Sequence, residues 1–268
     1  MNILQLYFHL FFNVGYSLVK FSLLKNLFTI KILKFDNMCY KVHTPLKEKL
    51  IAYLGPGKFD VRPYEFYFHA DGFTMPFLPV STSETPNIVQ PGIWKLLPQW
   101  VKNDVEARKY ANTLNATAEE IFEKASYKNY ITRNRCLVWV DGFFEPHHPD
   151  AKTTIPYYIY SADGNPFSLG GVYSNWVNQD TGEVIKTFSI ITTPANELLG
   201  QIHNEKKRMP LIISPSDREK WLGPLSKEEI IQMMVPLPDG ILAAYPVSGL
   251  VYNKRVDSNV PEVLLPGK

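Results

Sequence analysis

The sequence has little of what usually marks a function. Only two cysteines occur, Cys39 and Cys136. They are too few for a disulfide scaffold and too far apart for a C-x-x-C zinc or redox motif, and they fit a reducing cytoplasm. Formal charge nearly cancels at +2, which excludes a strongly basic nucleic-acid binder and leaves room only for a local basic groove. There is no G-x-S-x-G elbow and no Walker A loop. The run Gly55-Pro56-Gly57 lacks the strand, third glycine and helix of a dinucleotide fingerprint. Neither a metal nor a small-molecule cofactor is expected. His147 and His148, beside Glu145, read as a solvated pair in a polar turn. The sequon Asn115-Ala116-Thr117 means nothing without a secretory signal.

Residues 1–37 lack alanine, glutamate, proline and arginine altogether, all four of which are common in the remainder. A secretory signal needs a basic start, an apolar core and a small-residue cleavage site. Here the start is uncharged, Lys20 and Lys25 interrupt the apolar run, and no A-x-A-like site follows. A membrane span needs about twenty mostly apolar residues. The run from Gln5 to Val19 is shorter, leaving only an interfacial anchor open. The preferred reading starts translation at Met38, with residues 1–37 an extension outside the mature protein and residues 38–268 a single domain.

What is present is β-rich. The chain is 45% hydrophobic and 13% aromatic, with 21 prolines, a composition that favours short strands and turns over a helical bundle. Strand-like runs are CLVWVDGFF (136–144), PYYIY (156–160), GGVYSNW (170–176), KTFSIITT (186–193) and MPLIIS (209–214). Capping-box spacings begin at Thr117, Ser216 and Ser226, and Thr193-Pro194 predicts a helix over 195–203. Turns are expected at Gly164-Asn165 and at Asp180-Thr181-Gly182. Cys136, inside an apolar strand, reads as a core residue. With no internal repeat after residue 38, the fold class is one α+β domain with a mixed, largely antiparallel sheet and flanking helices.

Five pieces then stand in a telling order: Met38-Cys39; Trp94-Lys95-Leu96-Leu97-Pro98-Gln99-Trp100; Asn115-Ala116-Thr117-Ala118-Glu119; the run from Arg135-Cys136-Leu137 to Asp141-Gly142-Phe143-Phe144-Glu145; and Thr192-Thr193-Pro194-Ala195 followed by His203 and Arg208-Met209-Pro210. In this order the chain resembles the SOS response-associated peptidase family, whose signatures are an initial M-C, W-G-L-(I/V)-P-x-W, N-A-R-x-E, R-C-L-x-P-x-D-G-(F/Y)-(F/Y)-E-W, T-x-x-A and a histidine before R-M-P. The resemblance implies a barrel-like core and a protein that processes abasic sites in single-stranded DNA.

It also implies roles. Cys39, once at a free N-terminus, offers an α-amine and a thiol on one residue. The amine forms a Schiff base with the aldehyde of the opened abasic sugar, and the sulfur closes a thiazolidine ring with a large effective molarity. Glu145 matches the catalytic carboxylate, which works best with a pKa raised by burial. His203 matches the catalytic histidine, and Asn115 the residue that orients Cys39 or the sugar. The same groups would cleave the bond before Cys39 autocatalytically, with weak lyase action as a further expectation.

The sequence departs from the pattern at Thr117, where the family has Arg, at Pro146 in place of Trp, at His69 in place of a common Asn, and in the long gap between His203 and Arg208. The first two concern DNA grip. Arg133, Arg135, Lys206, Lys207 and Arg208 are candidates for the missing charge, and Trp94, Trp100 and Phe144 for stacking. The expected partner is abasic single-stranded DNA, with no membrane, for a monomer in the cytoplasm that joins the nucleoid when bound. Three other readings stay open: a cysteine peptidase acting on other proteins, a non-catalytic single-stranded-DNA module, and a membrane-anchored protein.

Overall fold

In a computed structural model of the chain, which describes residues 40–110 and 113–267, the strands are β1 (Lys41–His43), β2 (Asp60–Val61), β3 (Ala70–Asp71), β4 (Phe77–Thr82), β5 (Thr85–Trp94), β6 (Asn115–Thr117), β7 (Arg135–Val140), β8 (Gly142–His147), β9 (Ile155–Ser161), β10 (Phe167–Val177), β11 (Val184–Pro194), β12 (Arg208–Pro210), β13 (Ile212–Ile213) and β14 (Leu242–Pro246). The α-helices are short: α1 (Lys47–Leu54), α2 (Asp104–Ala107), α3 (Glu197–Ile202), α4 (Arg218–Leu222) and α5 (Lys227–Met233). Residues 1–37 and Cys39 lie outside the described residues.

Strands β5, β4, β7, β10 and β11 pair in that order, and β11 returns to β5, so the ring closes. Five strands cannot alternate direction all the way round, so one junction must be parallel. That junction is β11–β5, which pairs Thr187 with Ile93 and Phe188 with Trp94. Closure removes the sheet edges that would otherwise need covering. The strand RCLVWV shows why the run is unbroken rather than alternating. Cys136, Val138 and Val140 face one core, while Leu137 and Trp139 face another, so both faces are buried.

The second sheet has the order β14-β9-β8-β1-β3 and is antiparallel throughout. Its strand β8 follows β7 with only Asp141 between. The run expected as one strand over 136–144 is therefore two strands in two sheets. Gly142 makes the turn feasible: a Cβ there would collide with the Tyr158 ring and the Ile159 carbonyl. Phe143 then points into the barrel-side core and Phe144 into a third cluster with Tyr158, Val247 and Val251. The described residues all belong to one compact unit, Asn37–Lys268, which is a single α+β domain. None of its helices is long and apolar enough to cross a membrane.

Local signals fared unevenly. The turns at Gly164 and Gly182 form with φ of 72° and 75°, and Ser226 makes its capping box with Glu229. Pro194, however, ends β11 opposite Arg208, and helix α3 begins three residues later under an Asn196 cap. Sheet pairing outcompeted the Thr-Pro start signal. Ser216 lies in a 3-10 turn (Pro215–Asp217) and bonds Ser214 rather than capping α4. Thr117 ends β6, and its hydroxyl donates to the Glu120 carboxylate at 2.8 Å.

Candidate active site

Strand β8 carries Glu145 on the same face as Phe143, because side chains two apart share a face. That face meets α3, whose Leu199 and Ile202 share a core with Phe143. The Asn196 side chain caps α3 by accepting from the Leu199 N–H at 3.0 Å. His203 follows immediately as the C-cap. Its Nδ1 lies 3.7 Å from Glu145 Oε2, and both side chains are 1% exposed. A buried carboxylate beside a buried imidazole is costly to assemble unless the surrounding structure fixes both partners.

Several contacts do that. His203 Nδ1 donates to the Arg208 carbonyl at 3.1 Å; a carbonyl only accepts, so Nδ1 carries a proton. Between them the chain reverses at Lys207, at φ 50°, with the Lys207 N–H donating to the His203 carbonyl at 2.8 Å. The long gap before Arg208 is thus a closed turn. His147 Nδ1 donates to the Gln201 and Ile202 carbonyls at 3.2 Å. Asn204 accepts from the His148 N–H at 3.1 Å and donates to its carbonyl at 2.7 Å. The two histidines read as solvated in the sequence instead pin β8 to the end of α3. Sequence reasoning missed Asn204, and no local signal reveals a partner over fifty residues away. Among the described residues no group of three or more His, Cys, Asp or Glu is arranged to hold a metal.

Strand β1 brings the start of the domain to the same place. It pairs Val42 with Phe143 and His43 with Gly142, so continuing the register sets Tyr40 opposite Glu145. Tyr40 packs on Phe73 with ring centroids 4.8 Å apart. Tyr40 and Glu145 both line a cavity of about 750 Å³. Cys39 is the next residue back along the chain and is itself not described. Asn115 is buried on β6, beside Ile190 of β11, and its carbonyl accepts from the Tyr127 hydroxyl at 2.9 Å.

The expected DNA contacts divide. Trp94 is fully buried and donates Nε1–H to the Leu114 carbonyl at 2.8 Å, which leaves it no face for a base. Arg135 is also buried, donating to the carbonyls of Ile131, Thr132, Trp221 and Gly223 and lying over the Trp221 ring. It is a core cross-link, not a phosphate ligand. Phe144 is likewise core. Trp100 is 45% exposed, with Nε1–H donated to the Tyr110 hydroxyl, and Arg133 is exposed. The guanidinium of Arg208 is held by Glu119 and by the Thr192 carbonyl.

A closed mixed barrel flanked by a second sheet, with a buried glutamate–histidine pair where β1 begins, defines the class. The chain matches the family described as SOS response associated peptidase (SRAP) over residues 43–254, and it belongs to that family. It is similar to the abasic site processing protein YoqW of Bacillus subtilis (strain 168), 34% identical over 173 residues that cover 64% of this chain and 73% of that protein. It is also similar to the abasic site processing protein HMCES of Mus musculus, 29% identical over 208 residues covering 67% of this chain and 57% of that protein. A solved structure of a protein from Bacteroides thetaiotaomicron superposes with a TM-score of 0.76 at 36% identity, covering 85% of this chain and 99% of that one.

Proposed function

We propose that this protein processes abasic sites in single-stranded DNA by bonding covalently to the lesion through Cys39, exposed once the residues before it are removed. The observation that carries the reading is the buried Glu145–His203 pair, 3.7 Å apart, with Glu145 on the strand that pairs with β1. Family membership supports it independently.

The chemistry follows from the groups at hand. The Cys39 α-amine adds to the aldehyde carbon of the opened sugar. Glu145 delivers a proton to the resulting hydroxyl, which leaves as water and gives the imine. Sγ then adds to the imine carbon while the thiol proton passes to nitrogen, closing the thiazolidine. One water is lost and nothing is oxidised or reduced. His203, with Nδ1 committed to the Arg208 carbonyl, takes up and returns protons at Nε2. Asn115 orients Cys39 or the sugar. Amine, thiol, carboxylate and imidazole all belong to the chain, so the reaction requires no cofactor.

The same nucleophile and carboxylate hydrolyse the Met38–Cys39 bond, which makes the peptidase activity autoproteolytic, and the imine opens a minor lyase route. In this reading residues 1–37 are not part of the mature protein, which acts as a monomer. Trp100 and Arg133 are the surface candidates for DNA, while Arg208 must leave Glu119 to reach a phosphate. Intact mass before and after incubation with an abasic single-stranded oligonucleotide tests the proposal. A chain starting at Cys39 that gains the oligonucleotide mass less one water supports it, and Cys39→Ala must abolish the gain. A crosslink that persists in Cys39→Ala overturns it.

A further inference from the structure

The cavity that Glu145 shares with Tyr40 extends well beyond the glutamate–histidine pair. Its far wall is the C-terminal segment 249–258, facing β3 and the turn at Phe73. This wall is tied down: the Asn259 side chain accepts from the Phe68 N–H at 2.8 Å, and His69 Nδ1 lies 2.7 Å from Ser258 Oγ. Val251 is buried in the cluster that holds Phe144. At about 750 Å³ the space is large enough for a nucleotide.

Its chemistry favours a heterocycle over a phosphate. The walls carry three carboxylates (Glu145, Asp71 and Asp257) against two lysines, Lys41 and Lys254, and Lys41 is already paired with Asp71 at 2.6 Å. A phosphate finds no net positive charge there. The aromatic lining is Phe73, which packs on Tyr40, and the half-buried Tyr252, whose ring lies under Lys41 Nζ at 5.7 Å. His69 is 5% exposed, and its Nε2 is buried with no hydrogen-bond partner among the described residues. An unsatisfied buried ring nitrogen is costly unless a ligand supplies the partner. Burial, with Lys41 nearby, pushes the His69 pKa down to about 4, so the ring meets a ligand uncharged.

We propose that this cavity is a nucleobase subsite, in which the base of a nucleotide next to the abasic sugar stacks on the aromatic wall and hydrogen-bonds to His69 Nε2. The assignment of DNA as the ligand rests on the function proposed above.

The test separates the two. Equilibrium binding of the full chain is measured with single-stranded oligonucleotides carrying a tetrahydrofuran analogue of the abasic sugar, which has no aldehyde. In one set the flanking nucleotides keep their bases; in the other, the base on one side or the other is replaced by a second baseless spacer. The expected result is about a tenfold loss of affinity on one side, at the low end of a base–aromatic contact. That loss disappears in His69→Leu and in Tyr252→Leu, which removes part of the aromatic wall, while both bind the baseless oligonucleotide as the unaltered protein does. Equal affinity with and without both flanking bases, or no binding at all, overturns the subsite. Base-dependent binding without any crosslink to a true abasic oligonucleotide leaves the subsite standing and removes the covalent reading instead.

Discussion

Arg208 meets Glu119 in a two-point contact, Nη1 to Oε1 at 2.6 Å and Nη2 to Oε2 at 2.9 Å, while its own carbonyl accepts from His203 Nδ1 at 3.1 Å. One residue thus fixes the histidine with its backbone and spends its charge on an acidic neighbour. Thr117, where the family has arginine, pairs in register with Thr192, whose carbonyl also accepts from Arg208 at 2.7 Å. Glu119→Gln should therefore free the guanidinium. We expect tighter binding of single-stranded DNA at low salt, by about threefold, and a log–log salt slope steeper by about 0.7, the value for one further phosphate contact. Anisotropy titrations across a salt series read both. An unchanged slope means that Arg208 does not face the DNA backbone.

Gly142 lets β8 leave the barrel, because any Cβ there collides with the Tyr158 ring and the Ile159 carbonyl. Gly142→Ala should destabilise the domain by about 3 kcal/mol, as overpacking does where backbone cannot yield. Denaturant unfolding checks it. A loss below roughly 0.5 kcal/mol indicates that β8 and β9 separate easily, and that the position of Glu145 is less rigid than the packing implies.

Much of this was legible in the sequence because its signals are local or ordered along the chain. Apolar runs gave most of the strands, and the apolar strand around Cys136 placed that residue in the core, where it is fully buried. The ordered motifs singled out Glu145 and His203, which the fold brings to 3.7 Å. What stayed hidden depends on distant partners. Nothing local tells a reader that Arg135 is spent on four carbonyls while Arg133, two residues away, is exposed. Trp94 and Trp100 come from one motif, yet one is core and the other surface. The helix start at Thr193-Pro194 failed because β12 pairs there.

Asn204 holds the His148 backbone at both its N–H and its carbonyl, at 3.1 and 2.7 Å. Asn204→Ala removes both bonds and should cost about 2 kcal/mol of stability. Because the same turn positions His203, the crosslinking rate should fall about tenfold while binding to the tetrahydrofuran oligonucleotide stays within a factor of two. A matching loss in binding points to a general structural role.

His43 is buried and bonded to the Tyr158 hydroxyl at 2.8 Å, and burial, assisted by Lys49, lowers its pKa from 6.5 to about 4. The folded value lies below the unfolded one, so the unfolded chain takes up the proton first. The stability gained from a neutral His43 is complete above about pH 6.5 and is lost as pH falls toward 4, at roughly 1 kcal/mol per unit. His69 shifts in the same direction. Urea midpoints should fall between pH 6.5 and 5, before most carboxylates titrate. His43→Gln, which keeps a polar partner for Tyr158 but does not titrate, should flatten that decline by about half. An identical decline in the variant assigns the acid sensitivity to other groups.

The isosteric change Glu145→Gln separates the proton of this carboxyl from its shape. The amide fills the same buried space beside His203, so the strand pairing of β8 with β1 and β9 should survive. What disappears is the ability to pass a proton to the leaving hydroxyl of the carbinolamine. The crosslinking rate to abasic single-stranded DNA should fall about a hundredfold, the lower end of what a positioned acid contributes, with binding of the tetrahydrofuran oligonucleotide unchanged. Single-turnover gel assays give the rate, and anisotropy gives the binding. If Glu145→Gln crosslinks at the original rate, proton delivery belongs to His203 or to solvent, and the buried carboxylate serves only to fix the imidazole. If binding and rate fall together, Glu145 holds the sugar rather than moving its proton.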